Sequence, residues 1–103
     1  GTLNTAVGVD TLLSNTTGEQ NCAIGNNSLD ANTTANCNVA IGAYALTDNT
    51  TGAHNSAIGR RALFDNTTAD NNTACGSGSL ESNTTGGSNV AVGKGALGNN
   101  RKL

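Results

Sequence analysis

The chain is 103 residues long, which leaves room for one domain at most. Asn, Thr, Ala and Gly supply 60 of those residues and Leu, Ile, Val and Phe only 18, so an ordinary globular core is excluded; charged residues make up 12% and the net charge is −2, so disorder driven by charge is excluded too. Five Lys and Arg, scattered rather than striped, give no electrostatic footprint for nucleic acid, and no apolar run approaches the roughly 20 residues that insert across a bilayer.

The chain is periodic. Asn4, Asn21, Asn38, Asn55, Asn72 and Asn89 recur every 17 residues without an insertion, so residues 1–103 are read as a single repeat domain of six units. Two positions after each Asn stands Ala (Ala6, Ala23, Ala40, Ala57, Ala74, Ala91), then Val7, Ile24, Ile41, Ile58, Cys75 and Val92, then Gly8, Gly25, Gly42, Gly59, Gly76 and Gly93. Further on, a small residue precedes an unbroken Leu column: Leu12, Leu29, Leu46, Leu63, Leu80 and Leu97. Asn-Thr-Thr follows in five units, from Asn15, Asn32, Asn49, Asn66 and Asn83. The third unit shows the predicted elements in order: Val39-Ala40-Ile41 is a short β run ended by Gly42, Ala45-Leu46 belongs to a second short extended piece, and Asp48 to Gly52 is a turn.

A helical hairpin repeat needs about twice this length, and Asn-Thr-Thr-Gly is poor in helix propensity. The units are therefore rungs of an all-β parallel β-solenoid, each touching its neighbours, and six rungs at about 4.8 Å stand roughly 29 Å tall. A Gly on every rung marks a corner with positive φ or a close backbone approach. The Asn columns can donate and accept along the stack, and Leu is the large side chain of the interior. In Val39-Ala40-Ile41 the two aliphatics point to one side and Ala to the other, with no charge on either. One side packs on its own coil and the other needs a neighbouring subunit, so a homo-oligomer is expected.

The motif Asn-x-Ala-(Ile/Val)-Gly-x-x-(Ala/Ser)-Leu-x-x-Asn-Thr-Thr-Gly resembles the head repeats of trimeric autotransporter adhesins and, more closely, the long repeat arrays of bacteriophage tail fibres. The resemblance covers residues 4 to about 100. It implies a homotrimer of left-handed β-rolls or β-helices, outside the cell or on a virion, forming the shaft or head of an attachment fibre that meets a host cell-surface glycan or protein receptor. The adhesin unit is shorter than this one. The sixth unit replaces Asn-Thr-Thr by Asn100-Arg101-Lys102 before Leu103, and the chain is expected to be a section of a longer fibre.

No catalytic residue, cofactor or metal site is expected. Cys22, Cys37 and Cys75 are too few and irregular for a disulfide framework; Cys75, in the aliphatic column, is expected to be a small buried hydrophobe, and a Cys22–Cys37 bond is not favoured. His54 is alone in a turn. Asp30, Asp48, Asp65 and Glu81 read as a solvated rim rather than an acid–base pair. The five Asn-Thr-Thr sites are glycosylation sequons, but their repetition in register points to a structural turn. Any recognition falls to the variable positions after the Gly column, where Tyr44, Arg60 and Arg61, together with Phe64, are the candidate receptor contacts. The rival from another class is a monomeric ice-binding solenoid, with the paired Thr forming two parallel ladders.

Overall fold

A computed structural model describes residues 1–99. Its strands are β1 (Thr5–Val7), β2 (Cys22–Ile24), β3 (Val39–Ile41), β4 (Ser56–Ile58), β5 (Thr73–Cys75) and β6 (Val90–Val92). They form one parallel sheet in sequential order, with no helix among the described residues. The register equals the sequence period: Thr5 faces Cys22, Ala6 faces Ala23 and Val7 faces Ile24, and the same offset holds through β6. The molecule is an all-β parallel solenoid 32 Å along its axis and 21 by 15 Å across.

The narrow cross-section decides which side of the strand turns in. Successive strand residues face opposite ways, and Ala23, Ala40 and Ala57 are completely buried while Ile24, Ile41 and Ile58 lie outside. Only a methyl fits there, because the space beyond it is taken by Leu29, Leu46, Leu63 and Leu80, all fully buried from the opposite wall. Ala45 and Ala62 complete the core, and Ser28 and Ser79 in the same column bury their hydroxyls by donating to the Gly25 and Gly76 carbonyls at 2.9 and 2.8 Å.

The Gly column fulfils both of its expected roles. Gly59 has φ +129°, and a Cβ built there would stand 2.6 Å from the carbonyl carbon of Gly76 on the next rung. No L side chain tolerates either condition.

The second extended piece expected at Ala45-Leu46 does not form. The chain turns through residues 43–48, and every Leu of the column is left-handed, with φ between 49° and 52°. This backbone costs about 1–2 kcal/mol for an L residue, less than the roughly 1.5–3 kcal/mol returned by burying Leu. Burial therefore overrides the local preference, and the turn lets Leu46 N–H donate to the Ala62 carbonyl at 3.0 Å.

Two ladders of Asn close the remaining walls. In the first, each backbone N–H from Asn21 to Asn89 donates to the Oδ1 of the Asn one rung earlier at 2.9 Å. In the second, Asn32, Asn49, Asn66 and Asn83 donate through Nδ2 to the preceding Oδ1 at 3.0–3.1 Å. An interior with so little aliphatic volume is thus lined by amides paired along the stack, which removes most of the desolvation cost of burying them.

Candidate functional site

Two surfaces of the rod are candidates, and both follow from the rung register. The first is the outer face of β1–β6. Alternation places the residues on either side of each interior Ala outside, in two columns: Thr5, Cys22, Val39, Ser56, Thr73 and Val90, and Val7, Ile24, Ile41, Ile58, Cys75 and Val92. Ile41 is 37% exposed, Ile58 44%, Val90 70% and Val92 71%. No charged residue interrupts the two columns. Cys75 belongs to this outer face and is an exposed free thiol. Its expected burial is thereby corrected: Cys75 follows the interior Ala74 directly, so alternation turns it outward with the rest of the aliphatic column. Cys22 and Cys37 are also free, and Cys37 Sγ lies 3.5 Å from Gln20 Oε1.

The second surface is the corner after the Gly column. Tyr44 and Arg61 stand one above the other, one period apart, in left-handed conformations with φ 63° and 62°. Phe64 lies beside them: its ring centroid is 6.3 Å from that of Tyr44 at an interplanar angle of 60°, and the Arg61 guanidinium carbon lies 4.0 Å from the Phe64 centroid. That is within the reach of a cation–π contact. Arg61 also pairs with Glu81 at 3.3 Å. Three of the four candidate contacts therefore converge, and Arg60 does not join them; it is exposed on its own position of the corner.

Glu81 and Asn27 complete this corner, although the sequence alone placed Glu81 on the acidic rim and named neither as a contact. Asn27 Nδ2 donates to Asp30 at 3.2 Å, and its carbonyl accepts from Thr47 Oγ1 at 2.8 Å. The signal was present in the period, since Asn27 is in the column of Tyr44 and Arg61 and Glu81 in that of Phe64.

No family model, curated protein or solved structure matches this chain. The two surfaces therefore have to be interpreted from their own geometry.

The acidic rim is less solvated than expected: Asp48 is exposed, but Asp30, Asp65 and Glu81 are half-buried. The Asp48 carboxyl is raised above its ordinary 3.8, first by partial desolvation and then by the negative charges of Asp65 and Asp30. Among the described residues no three His, Cys, Asp or Glu come together as a metal set. His54 is exposed, with its backbone N–H donating to the Asn36 carbonyl at 3.2 Å.

The sequon asparagines are part of the fold. Asn32, Asn49, Asn66 and Asn83 are fully buried with their amide nitrogens bonded, so the folded rungs offer no amide for a glycan there. Of the paired Thr, the first of each pair in four rungs, from Thr16 to Thr67, donates its hydroxyl to the carbonyl of the first Thr on the next rung at 3.1–3.5 Å. Thr17, Thr34, Thr51, Thr68 and Thr85 form the exposed column.

Proposed function

We propose that the chain is a structural and adhesive segment of a trimeric attachment fibre, as the shaft or head of a phage tail fibre or a bacterial surface adhesin. The observation that carries this reading is the outer face of β1–β6. A six-strand face that carries one continuous column of Val, Ile and Cys and no charge is the kind of patch that marks a protein–protein contact. Its residues repeat at every rung, so copies placed side by side in register bury the same columns along the whole rod. The Tyr44–Arg61–Phe64 corner lies beyond the Gly column, off that face, and is repeated by symmetry, so a host glycan or protein receptor is met several times over, and avidity replaces a strong single site. The rod between contacts acts as a spacer.

Native mass measurement tests the proposal. A trimer is expected, and Ile41→Asp with Ile58→Asp is expected to reduce it to single chains that keep their β spectrum. A single chain as the native species, combined with thermal hysteresis in cold solution, would support the ice-binding rival instead. Trimers that survive the double Asp variant would place the contact elsewhere.

A further inference from the structure

Tyr44 and Phe64 are the single Tyr and the single Phe of a chain without Trp, and the fold brings both to one corner. They belong to neighbouring rungs, and the backbone fixes each of them. Tyr44 N–H donates to the Asn26 carbonyl of the preceding rung at 3.0 Å, and Phe64 N–H to the Arg61 carbonyl of its own turn at 3.2 Å. Both side chains are half-buried, so each keeps part of its surface open to a ligand. Arg61 is held from two sides, over the Phe64 ring at 4.0 Å and against the Glu81 carboxylate at 3.3 Å. The platform is therefore set before anything binds, and little rotamer freedom is left to lose.

The rim of this platform is acidic. Asp65 directly follows Phe64, and Asp48 lies one period before it, with its N–H donating to the Phe64 carbonyl at 3.4 Å. Neither carboxylate makes a hydrogen bond to another described residue. Asp30, on the rung before Tyr44, accepts from Asn27 Nδ2 at 3.2 Å. An apolar protein hot spot laid here strips water from Asp48 and Asp65 without pairing them, which is costly. A sugar does not incur that cost: its C–H face lies on an aromatic ring while its hydroxyls donate charge-assisted hydrogen bonds to carboxylates. The corner and its rim carry four carboxylates, Asp30, Asp48, Asp65 and Glu81, against the guanidinium groups of Arg60 and Arg61, and Arg61 is already paired with Glu81. An anionic sugar is repelled by that balance.

We propose, on the attachment reading above, that this corner takes a neutral oligosaccharide, with Tyr44 and Phe64 stacking on its C–H faces and the Asp48 and Asp65 carboxylates accepting from its hydroxyls. From Asn27 to Glu81 the corner spans three rung intervals, about 14 Å along the axis. That is longer than one pyranose ring, so a run of sugars is bound rather than a single one. All of these residues come from one chain, so the site is complete without assembly.

Tyrosine emission tests it, since the one Tyr lies in the site and no Trp masks it. Neutral oligosaccharides of glucose, galactose, mannose and N-acetylglucosamine, and the same cores capped with sialic acid or sulfate, are titrated into the native protein. A saturable change with neutral members is expected, with their anionic forms weaker by about tenfold or more. Phe64→Ala keeps the β spectrum and weakens the best neutral ligand by about tenfold. Asp65→Asn leaves both rings in place and also weakens it, whereas Glu81→Gln releases the Arg61 charge and narrows the gap between neutral and anionic sugars. Ile41→Asp with Ile58→Asp keeps the affinity for soluble sugar in single chains, so loss of assembly and loss of the sugar site are read apart. No saturable change with any neutral sugar, tighter binding of the anionic forms, or a folded Phe64→Ala that binds like the parent overturns the proposal, even where native mass shows a trimer. If Phe64→Ala loses its β spectrum, unchanged affinity in Asp65→Asn together with unchanged selectivity in Glu81→Gln overturns it instead.

Discussion

Asn38 and Asn49 donate to the same acceptor, the carbonyl of Gly52, at 2.8 and 2.9 Å. The arrangement recurs at the carbonyls of Gly18, Ala35, Ala69 and Gly86, each of which accepts from one Asn of either ladder. One oxygen with two lone pairs thus anchors both Asn columns of a rung and uses its full acceptor capacity.

Asn49→Asp should therefore be severe despite near-identical shape. The introduced carboxylate would keep an acceptor for Asn66 Nδ2 but turn an oxygen toward Asn32 Oδ1 and the Gly52 carbonyl, where the Asn49 Nδ2 donates at 3.1 and 2.9 Å. A loss of about 3 kcal/mol or more is expected at neutral pH, measured by chemical denaturation of the single chain. A loss below about 1 kcal/mol would mean that the ladder contributes little.

Two Gly→Ala substitutions should separate crowding from conformation. At Gly59 the new Cβ stands 2.6 Å from the backbone of the next rung at φ +129°, and a loss of about 3 kcal/mol is expected. Gly95 has φ +68° and nothing within 4 Å of such a Cβ, so a cost of about 1 kcal/mol is expected. Equal thermal shifts for the two variants would contradict the close approach of the rungs.

Leu63→Ala truncates a fully buried Leu of the interior column and leaves the left-handed backbone at φ 52° without the burial that offsets it. A loss of about 3 kcal/mol is expected from the cavity, read from the denaturation midpoint.

Asp48 gives the pH dependence. Its folded-state pKa is raised from 3.8, so the folded chain holds this proton more tightly than the unfolded chain does. Its favourable contribution is complete below 3.8 and is lost as pH rises through the raised value. Asp48→Asn should raise the melting temperature at pH 7 and lose that advantage as the pH falls below 3.8. A melting-temperature difference that does not change with pH would show that neither desolvation nor the neighbouring Asp65 and Asp30 charges raise this carboxyl.

Thiol labelling under native conditions reports the outer strand face. Cys75 is exposed and Cys22 and Cys37 are half-buried, so Cys75 should react first in the isolated chain, as followed by mass spectrometry of the labelled peptides. Protection of Cys75 with rising concentration would mark that face as covered.

Much of the rod was legible because a fixed period is a statement about three dimensions: residues 17 apart must stack when every unit is the same length. That argument placed β3 at Val39–Ile41, the Gly column at positive φ and the Leu column inside, and each is found there. It did not reveal the turn through Ala45-Leu46, because nothing local favours a left-handed Leu; the conformation exists only because burial of Leu46 outweighs its strain. Nor did it reveal the Arg61–Phe64–Glu81 cluster, whose members come from two columns and adjacent rungs.

By itself the sequence determined the solenoid, its rung height, its Asn ladders and its Leu interior, since each follows from repetition and residue type alone. Only the tertiary structure decided which side of each strand is the interior. Alternation separates Ala40 from Val39 and Ile41 but assigns neither side. The assignment came from the width left by the opposite wall: with Leu46 filling it, a methyl fits and an isoleucine does not, so the apolar columns were turned outward.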